Sequence, residues 1–234
     1  MKFIAMMKEV NDKQLIHRAL LYNSGLLILA FGIVVTINSG LGVSPVSSLP
    51  YVVSLASGVS LGVCIAVIFS SSILIQVAML GKEFKYIRLS QIVISSMFGY
   101  FVTFASSVIG DFTMPTYAGQ LCMLAIGIML LACGLAMSVE AKFINMPAEE
   151  LVLVTAYKFQ TAFHRAKIVW DCAIVALSIT ISLVFLGELQ GVREGTVIAA
   201  LAVGKLMPVM RKIIAPAIRA IGFNMNMNGE HLQQ

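Results

Sequence analysis

The stretch Ser39–Gly62 interrupts an otherwise almost continuously apolar sequence with glycines, prolines and serines, and it carries no charge. Pro45 suits the first turn of a helix, and Ser44 before it suits the N-cap, because a serine hydroxyl can accept from an amide that lacks an intrahelical partner. A helix from Pro45 to Ala56 would be about 18 Å long, too short to cross a hydrocarbon core of about 30 Å. The pattern predicts a half-helix that enters the membrane and returns. The alternative is a polar loop followed by a longer, kinked span.

The composition restricts the class of protein. Of 234 residues, 59% are hydrophobic and 12% are charged, whereas a soluble domain is about 25% charged. We therefore expect a multi-pass, all-α membrane protein. The four cysteines lie in apolar runs without CxxC spacing, and the three histidines are scattered. We expect no disulfide framework, no metal site and no cofactor, and the sequence has no nucleophile–base pair that would indicate an enzyme.

Five apolar runs are long enough to span a bilayer, and a sixth is shorter and carries Lys205 near its end, where a lysine can extend to the interface. A basic amphipathic segment, residues 1–18, precedes the first span. Residues 211–234 are expected to form an interfacial basic segment with a disordered tail. The six predicted spans are Ala19–Ile37, Val59–Leu80, Leu89–Ile109, Tyr117–Val139, Ile168–Gly187 and Gly195–Met210.

The basic residues sort to one side of the membrane. With six spans and a cytoplasmic N-terminus, every one of the 16 Lys and Arg residues except Arg193 faces the cytoplasm. This sorting also accounts for the net charge of +5, because the basic residues face anionic headgroups and not nucleic acid. We expect both termini in the cytoplasm and no nucleic-acid partner.

The Pro45 pattern recurs in the second half of the chain. Pro147 opens a second short segment, Pro147–Phe159, in which Leu151 aligns with Leu49 when the two prolines are aligned. The stretches Gly81–Gly99 and Gly187–Gly204 also align, with one gap, and this places Arg88 opposite Arg193. Each half therefore has the order span, Pro-led short helix, span, turn and span.

Three spans per half require the two halves to be inverted relative to each other. The first repeat covers residues 19–110 and the second covers residues 117–210. Inverted repeats with discontinuous helices are typical of secondary transporters, in which the substrate site lies near the midplane where half-helix termini meet. We expect the N-termini of the two short helices to approach each other inside the bundle.

With these motifs, the chain resembles the YczE/YitT-like family of bacterial integral membrane proteins over most of residues 20–208. The resemblance implies a bacterial cytoplasmic membrane and transport in general terms. Two positions depart from the family pattern: Ser47 stands where an acidic residue is common, and Arg193-Glu194 precedes Gly195-Thr196 where the family has Gly-x-Gly-Thr. The matching motifs are Gly40–Pro45 with Leu49, Ser57–Gly62, Pro147–Leu151, the pair Lys167 and Asp171, Leu186-Gly187, and Gly195-Thr196.

The candidate substrate-binding residues gather at the two short helices and at the ends of the last two spans. Glu149 and Glu150 suit a proton or cation, although a helix N-terminus also favours acidic residues for structural reasons alone. Asp171 lies four residues after Lys167, so a local ion pair that anchors the span is the structural alternative. The candidates are Ser44, Ser47, Ser48, Tyr51, Glu149, Glu150, Lys167, Asp171, Arg193 and Thr196.

Two functions of different classes fit the sequence. The first is a secondary transporter or facilitator of a small, anionic solute: the serine-rich first short helix would hold the negative group, and an acidic residue of the second would take a proton or cation. The second is a non-transporting accessory membrane protein that docks a cytoplasmic partner. The expected partners are the lipid bilayer and a small solute, with a homo-oligomer as a further option.

Overall fold

A computed structural model describes residues 12–220 of the chain, with side chains over 15–216. This part is all-helical, without strands. The predicted N-terminal segment, residues 1–18, is described only from residue 12, where it forms the start of the first helix. The predicted tail is described only as far as residue 220. The helices are α1 (Asp12–Asn38), α2 (Pro45–Ser57), α3 (Leu61–Leu80), α4 (Gln91–Ile109), α5 (Tyr117–Glu140), α6 (Pro147–Lys158), α7 (Phe163–Ile181) and α8 (Glu194–Ala220).

Within residues 12–220, five helical segments are long and apolar enough to cross a membrane, so the expectation of a multi-pass helical membrane protein is confirmed. Helix α8 is not one of them, although it has 27 residues. Lys205 and Arg211 interrupt its apolar sequence, and residues 211–220 continue it without a break. The five segments are Leu15–Asn38, Leu61–Glu83, Tyr86–Ile109, Tyr117–Glu140 and Phe163–Leu186.

Both Pro-led segments form short helices that begin at the predicted proline. Helix α2 ends at Ser57, where Gly58 adopts φ 70° and closes the helix with its amide on the Ser54 carbonyl. The expected side-chain cap by Ser44 is wrong, because its hydroxyl contacts the Ser47 hydroxyl instead.

Glycines determine how closely α1 and α5 cross. A Cβ added at Gly25 would lie 2.9 Å from the Gly134 carbonyl oxygen, and one added at Gly32 would lie 3.1 Å from the Gly127 carbonyl oxygen. Since early residues of α1 meet late residues of α5, the two helices run antiparallel. Small residues let membrane helices approach to this distance and gain dispersion contacts along their backbones.

The contacts at this crossing recur with the two halves of the chain exchanged. Gly134 packs against Leu29, and its counterpart Gly32 packs against Leu131. An exchange of this kind is what a twofold axis through the crossing produces. Four pairs of equivalent positions take part in this exchange, and the two members of each pair are 102 residues apart, as Pro45 and Pro147 are. The pairs are Gly25 and Gly127, Leu29 and Leu131, Gly32 and Gly134, and Thr36 and Ser138.

The turns around the short helices have matching backbone conformations. Gly40 and Gly58, which flank α2, both have φ 70°, and residues 102 positions later, Lys142 and Gln160, have φ 47° and 50°. The left-handed region costs a residue with a Cβ about 1 kcal/mol. The second half therefore keeps the same turns although it lacks the glycines that make them easy.

The two halves also pack their other helices in corresponding ways. Helix α1 packs against α4, and α5 packs against α8. Each short helix packs against α3 and α7, so that it touches a long helix of the opposite half.

The correspondence fails where α3 crosses α4. A Cβ added at Gly62 would lie 2.1 Å from the Gly99 carbonyl oxygen, so this pair requires glycine on both sides. In the second half His164 stands 102 residues after Gly62, and a Cβ added at Gly204 would meet no atom within 4 Å. The close crossing of the first half therefore has no equivalent at these positions.

Two alanine substitutions should have opposite effects on stability. A Cβ at Gly134 would lie 2.5 Å from the Leu29 amide nitrogen, so Gly134→Ala must separate α1 from α5 and lower the melting temperature in detergent. Gly204→Ala is the control, because its Cβ enters open space and alanine favours a helix over glycine by about 1 kcal/mol. A Gly134→Ala protein that melts no lower than Gly204→Ala would show that the crossing is not set by glycine.

Candidate functional site

The loop before α2 is fixed to the loop before α8. The Val43 amide donates to the Gly191 carbonyl at 3.0 Å, and the Gly195 amide donates to the Leu41 carbonyl at 2.8 Å. Between these bonds Gly42 has φ 104°, and a Cβ there would lie 2.7 Å from the Thr196 hydroxyl oxygen. The close approach of the two loops therefore explains why Gly42 must be glycine.

Residues 39–48, which we call the α2 mouth, hold the predicted serines. The Ser44 carbonyl accepts from the amides of Ser47 and Ser48 at 3.0 Å each, and Pro45 has no amide hydrogen. In this turn, those bonds leave the Val46 amide as the donor available to a ligand. Ser47 and Ser48 are buried, whereas Ser44 is partly exposed.

Ser48 connects the α2 mouth to the second half of the chain. Its hydroxyl lies 2.7 Å from the Pro45 carbonyl oxygen and 2.9 Å from the hydroxyl of Ser178 on α7. Ser178 is fully buried, and its hydroxyl oxygen also lies 2.7 Å from the Ile174 carbonyl oxygen. These bonds satisfy polar groups that would otherwise be exposed to an apolar environment.

Three more predicted residues lie around the α2 mouth. Arg193 donates to the Gly40 carbonyl at 2.9 Å and forms an ion pair with Glu194 at 3.1 Å. Buried Thr196 faces Gly42 and accepts from the Arg193 amide at 3.3 Å. Tyr51, nearly two turns into α2, packs beside Gly191. The structure therefore brings Ser44, Ser47, Ser48, Tyr51, Arg193 and Thr196 together at one end of α2.

Residues 141–150 form the corresponding α6 mouth, which is fixed by a buried glutamine. The Gln76 amide group donates to the Pro147 carbonyl and to the side-chain oxygen of Gln91, both at 3.1 Å. Gln76 and Gln91 are buried at 0% and 2% exposure. Gln76 on α3 precedes Ser178 on α7 by the same 102 residues that relate the two mouths. Each mouth is thus held by a polar residue of a long helix from the other half.

Glu150 is held through both of its carboxylate oxygens. Arg88, just before α4, forms an ion pair with Oε1 at 2.5 Å, and the Asn145 side chain donates to Oε2 at 2.7 Å. The side chains of Arg88 and Glu150 are only 26% and 13% exposed, so solvent screens this pair less than a surface pair. We call these three residues the Arg88 clasp.

Glu149 has a different environment from Glu150. It is partly buried, and it forms no ion pair or hydrogen bond within residues 15–216, over which side chains are described. It lies within electrostatic range of Lys167 and Glu150 and of the Tyr22 hydroxyl on α1. The two neighbouring carboxylates therefore differ in whether a cation already neutralises them.

The predicted ion pair on α7 is present. The Lys167 ammonium lies 3.1 Å from a carboxylate oxygen of Asp171, as expected for residues four apart on one helix. Between them Trp170 donates to the hydroxyl of Thr155 on α6 at 2.8 Å. Lys167 and Asp171 therefore lie on the face of α7 that borders α6.

A family model covers most of the chain. The model for a family of unknown function, DUF6198, matches residues 16–212. The chain belongs to the DUF6198 family. No curated protein and no solved structure matches the chain. The matched range of this DUF6198 protein includes both mouths and ends just after Arg211, which pairs with the buried carboxylate of Glu140 at the end of α5.

The polar residues of the DUF6198 chain at the α6 mouth differ in whether their role could be predicted from the sequence. Gln76 and Gln91 are polar residues in apolar spans, a signal that favours a buried polar contact. Tyr22 and Asn145 carry no such signal, because a tyrosine in a span and an asparagine in a turn are both ordinary. Their importance follows only from the contacts that the fold makes.

Charge exchange should test the Arg88 clasp in this DUF6198 protein. Arg88→Glu places a second carboxylate beside Glu150 and should lower the melting temperature in detergent. The double variant Arg88→Glu with Glu150→Arg should recover most of the loss, because it replaces two like charges with an opposite-charge pair at the same positions. Additive losses in a double-mutant cycle would mean that the two side chains do not interact.

Proposed function

We propose that this DUF6198 protein is a secondary transporter or facilitator of a small, anionic solute in a bacterial cytoplasmic membrane. In this proposal α8 is the sixth span, the chain is an inverted repeat, and the likeness to YczE/YitT-like proteins is genuine. The observation that carries it is the exchange of contacts between halves at a constant spacing of 102 residues, from the α1–α5 crossing to the two mouths. Paired discontinuous helices related in this way are typical of carriers.

The sixth span follows from the correspondence between α4 and α8. Helix α4 packs against α1, and α8 packs against α5. Arg88 and Arg193 stand just before these helices, and each reaches the mouth of the other half: Arg88 binds Glu150 of the α6 mouth, and Arg193 binds the Gly40 carbonyl of the α2 mouth. With α8 as a span, these two arginines lie on opposite sides of the membrane.

The two short helices supply the moving contacts of an alternating-access cycle. Val46 and Ala148, near the N-termini of the two short helices, both pack against the apolar cluster built around α1. The polar contacts of each N-terminus, within the part of the chain described, are made with a long helix of the opposite half and not with the other N-terminus. Relative motion of the halves must therefore break the contacts at one mouth or the other.

The two mouths differ in charge in a way that suits coupled transport. The α2 mouth has hydroxyls and the Val46 amide, and it has no carboxylate within residues 39–48. Beside it lies the half-exposed Arg193, which is paired with Glu194. A helix N-terminus with about half a positive charge favours an anionic group there. The α6 mouth carries Glu149 and Glu150, which suit a proton or cation.

A reversible cross-link should test the transport cycle. In a protein without native cysteines, Ser48→Cys and Ser178→Cys would stand where two hydroxyls are 2.9 Å apart, close enough to attempt a disulfide between α2 and α7. Oxidation should abolish solute uptake into proteoliposomes, because the α2 mouth could no longer open, and a reducing agent should restore it. Each single-cysteine variant is the matched control and should be insensitive to oxidation.

Two results would contradict the proposal. Uptake that persists in the fully oxidised double variant would show that this mouth does not move. A broad screen of anions, with and without a pH gradient, that gives no uptake above empty liposomes would instead support the accessory membrane protein that docks a cytoplasmic partner.

A further inference from the structure

One of the two carboxylates of the α6 mouth has no cationic side chain paired with it among the described side chains. The Arg88 clasp occupies Glu150, and Lys167 forms its ion pair with Asp171. Glu149 has neither an ion pair nor a hydrogen bond within residues 15–216, over which side chains are described. A carboxylate at membrane depth is costly unless a partner or a cation neutralises it.

A buried hydroxyl faces the same region without a hydrogen-bond partner. Tyr22 is only 1% exposed, and its hydroxyl has no partner in the described part of the chain. Its ring centroid lies 5.6 Å from that of Phe143, so Tyr22 borders the α6 mouth that carries Glu149. A tyrosine hydroxyl that is buried usually finds a hydrogen-bond partner, so an orphaned one at this mouth indicates a missing ligand.

A second buried oxygen lies near the first turn of α6. The amide nitrogen of Gln76 binds the Pro147 carbonyl, two residues before Glu149, while its side-chain oxygen has no partner among the described residues. Gln76 is fully buried. The orphaned atoms of Tyr22 and Gln76 are both oxygens, and oxygen is the ligand type that hard cations prefer.

We propose that Glu149 and the Tyr22 hydroxyl bind one small monovalent cation, a proton or Na⁺, at the first turn of α6. The role of this site in coupling rests on the proposed transport function, whereas its existence does not. The helix N-terminus and Lys167 offset part of the negative charge, so the cation is held weakly enough to be released.

The surrounding charges favour a monovalent over a divalent ion. Within the described residues, no group of three His, Cys, Asp or Glu side chains could hold a metal ion. Two cationic side chains are already near the site, and a divalent ion would meet both. The groups that interact electrostatically with Glu149 are Tyr22 on α1, Glu150 on α6 and Lys167 on α7. Arg88 before α4 and Asp171 on α7 are the ion-pair partners of Glu150 and Lys167.

The chain contains a natural reporter of this site. Trp170 is its one tryptophan, and it connects α7 to α6 through Thr155, one turn from Lys167. The fluorescence of Trp170 in the purified full chain can be followed in detergent without any solute, first over a pH series in choline chloride and then over a NaCl series at constant pH and ionic strength. We expect a saturable change in one of the two series, which identifies the proton or Na⁺ as the ligand.

Glu149→Gln should abolish the change, because the glutamine amide carries no charge to neutralise. Tyr22→Phe should weaken cation binding about tenfold, or lower the pH midpoint by about one unit, through the loss of one oxygen that shares the cation. Glu188→Gln, on the exposed loop after α7, is the control that should titrate as the unmodified chain does. Asp171→Asn tests whether the fluorescence change comes from the ion pair beside Trp170. We expect the Asp171→Asn protein to keep the change.

Three outcomes would overturn the site. They are a flat response of the unmodified chain in both series, a Glu149→Gln protein that still titrates, and the loss of the response in Asp171→Asn alone. A Tyr22→Phe protein with unchanged or tighter binding would also contradict the assignment of that hydroxyl as a ligand. Since no transport is measured, a positive titration with no uptake would retain the site and reject the proposed transporter.

Discussion

The close crossing of α1 and α5 is the interaction on which the arrangement of the other helices depends. In lipid, helices gain little from burying apolar side chains, so their association depends on close backbone packing and on interhelical hydrogen bonds. Gly25 and Gly32 on α1 meet Gly134 and Gly127 on α5, and these four positions leave no room for a side chain. From this crossing α4 packs on α1 and α8 packs on α5, and the two mouths lie beside the resulting core.

Short helices within a membrane need partners for their ends, because water is not available there to satisfy them. Each mouth obtains its partner from a long helix of the opposite half: Ser178 at the α2 mouth and Gln76 at the α6 mouth. Such contacts tie the halves together, and they are also weak enough individually, at about 1 kcal/mol, to break in a conformational cycle. The same feature therefore serves both the stability of the fold and the motion that we propose.

The helices and the starts of both short helices were predictable from the sequence, because Pro45 and Pro147 suit a first helical turn and apolar length defines a span. The Lys167–Asp171 pair was predictable because residues four apart on a helix are neighbours. The partners of the mouths were not. The Ser48–Ser178 contact joins residues 130 apart and the Gln76–Pro147 contact joins residues 71 apart, and no local pattern encodes either. Ser44 was expected to cap α2 with its side chain, but the neighbouring Ser47 hydroxyl competes for it.

The central claim is that the two halves enter the membrane from opposite sides. Accessibility of single cysteines in intact cells tests it most directly, in a background without Cys64, Cys122, Cys133 and Cys172. Asp111→Cys and Gln190→Cys should react with a membrane-impermeant maleimide from outside, whereas Lys85→Cys and Asn145→Cys should react only after the membrane is permeabilised. Labelling of position 145 from outside would place both short helices on the same side and contradict the inverted repeat.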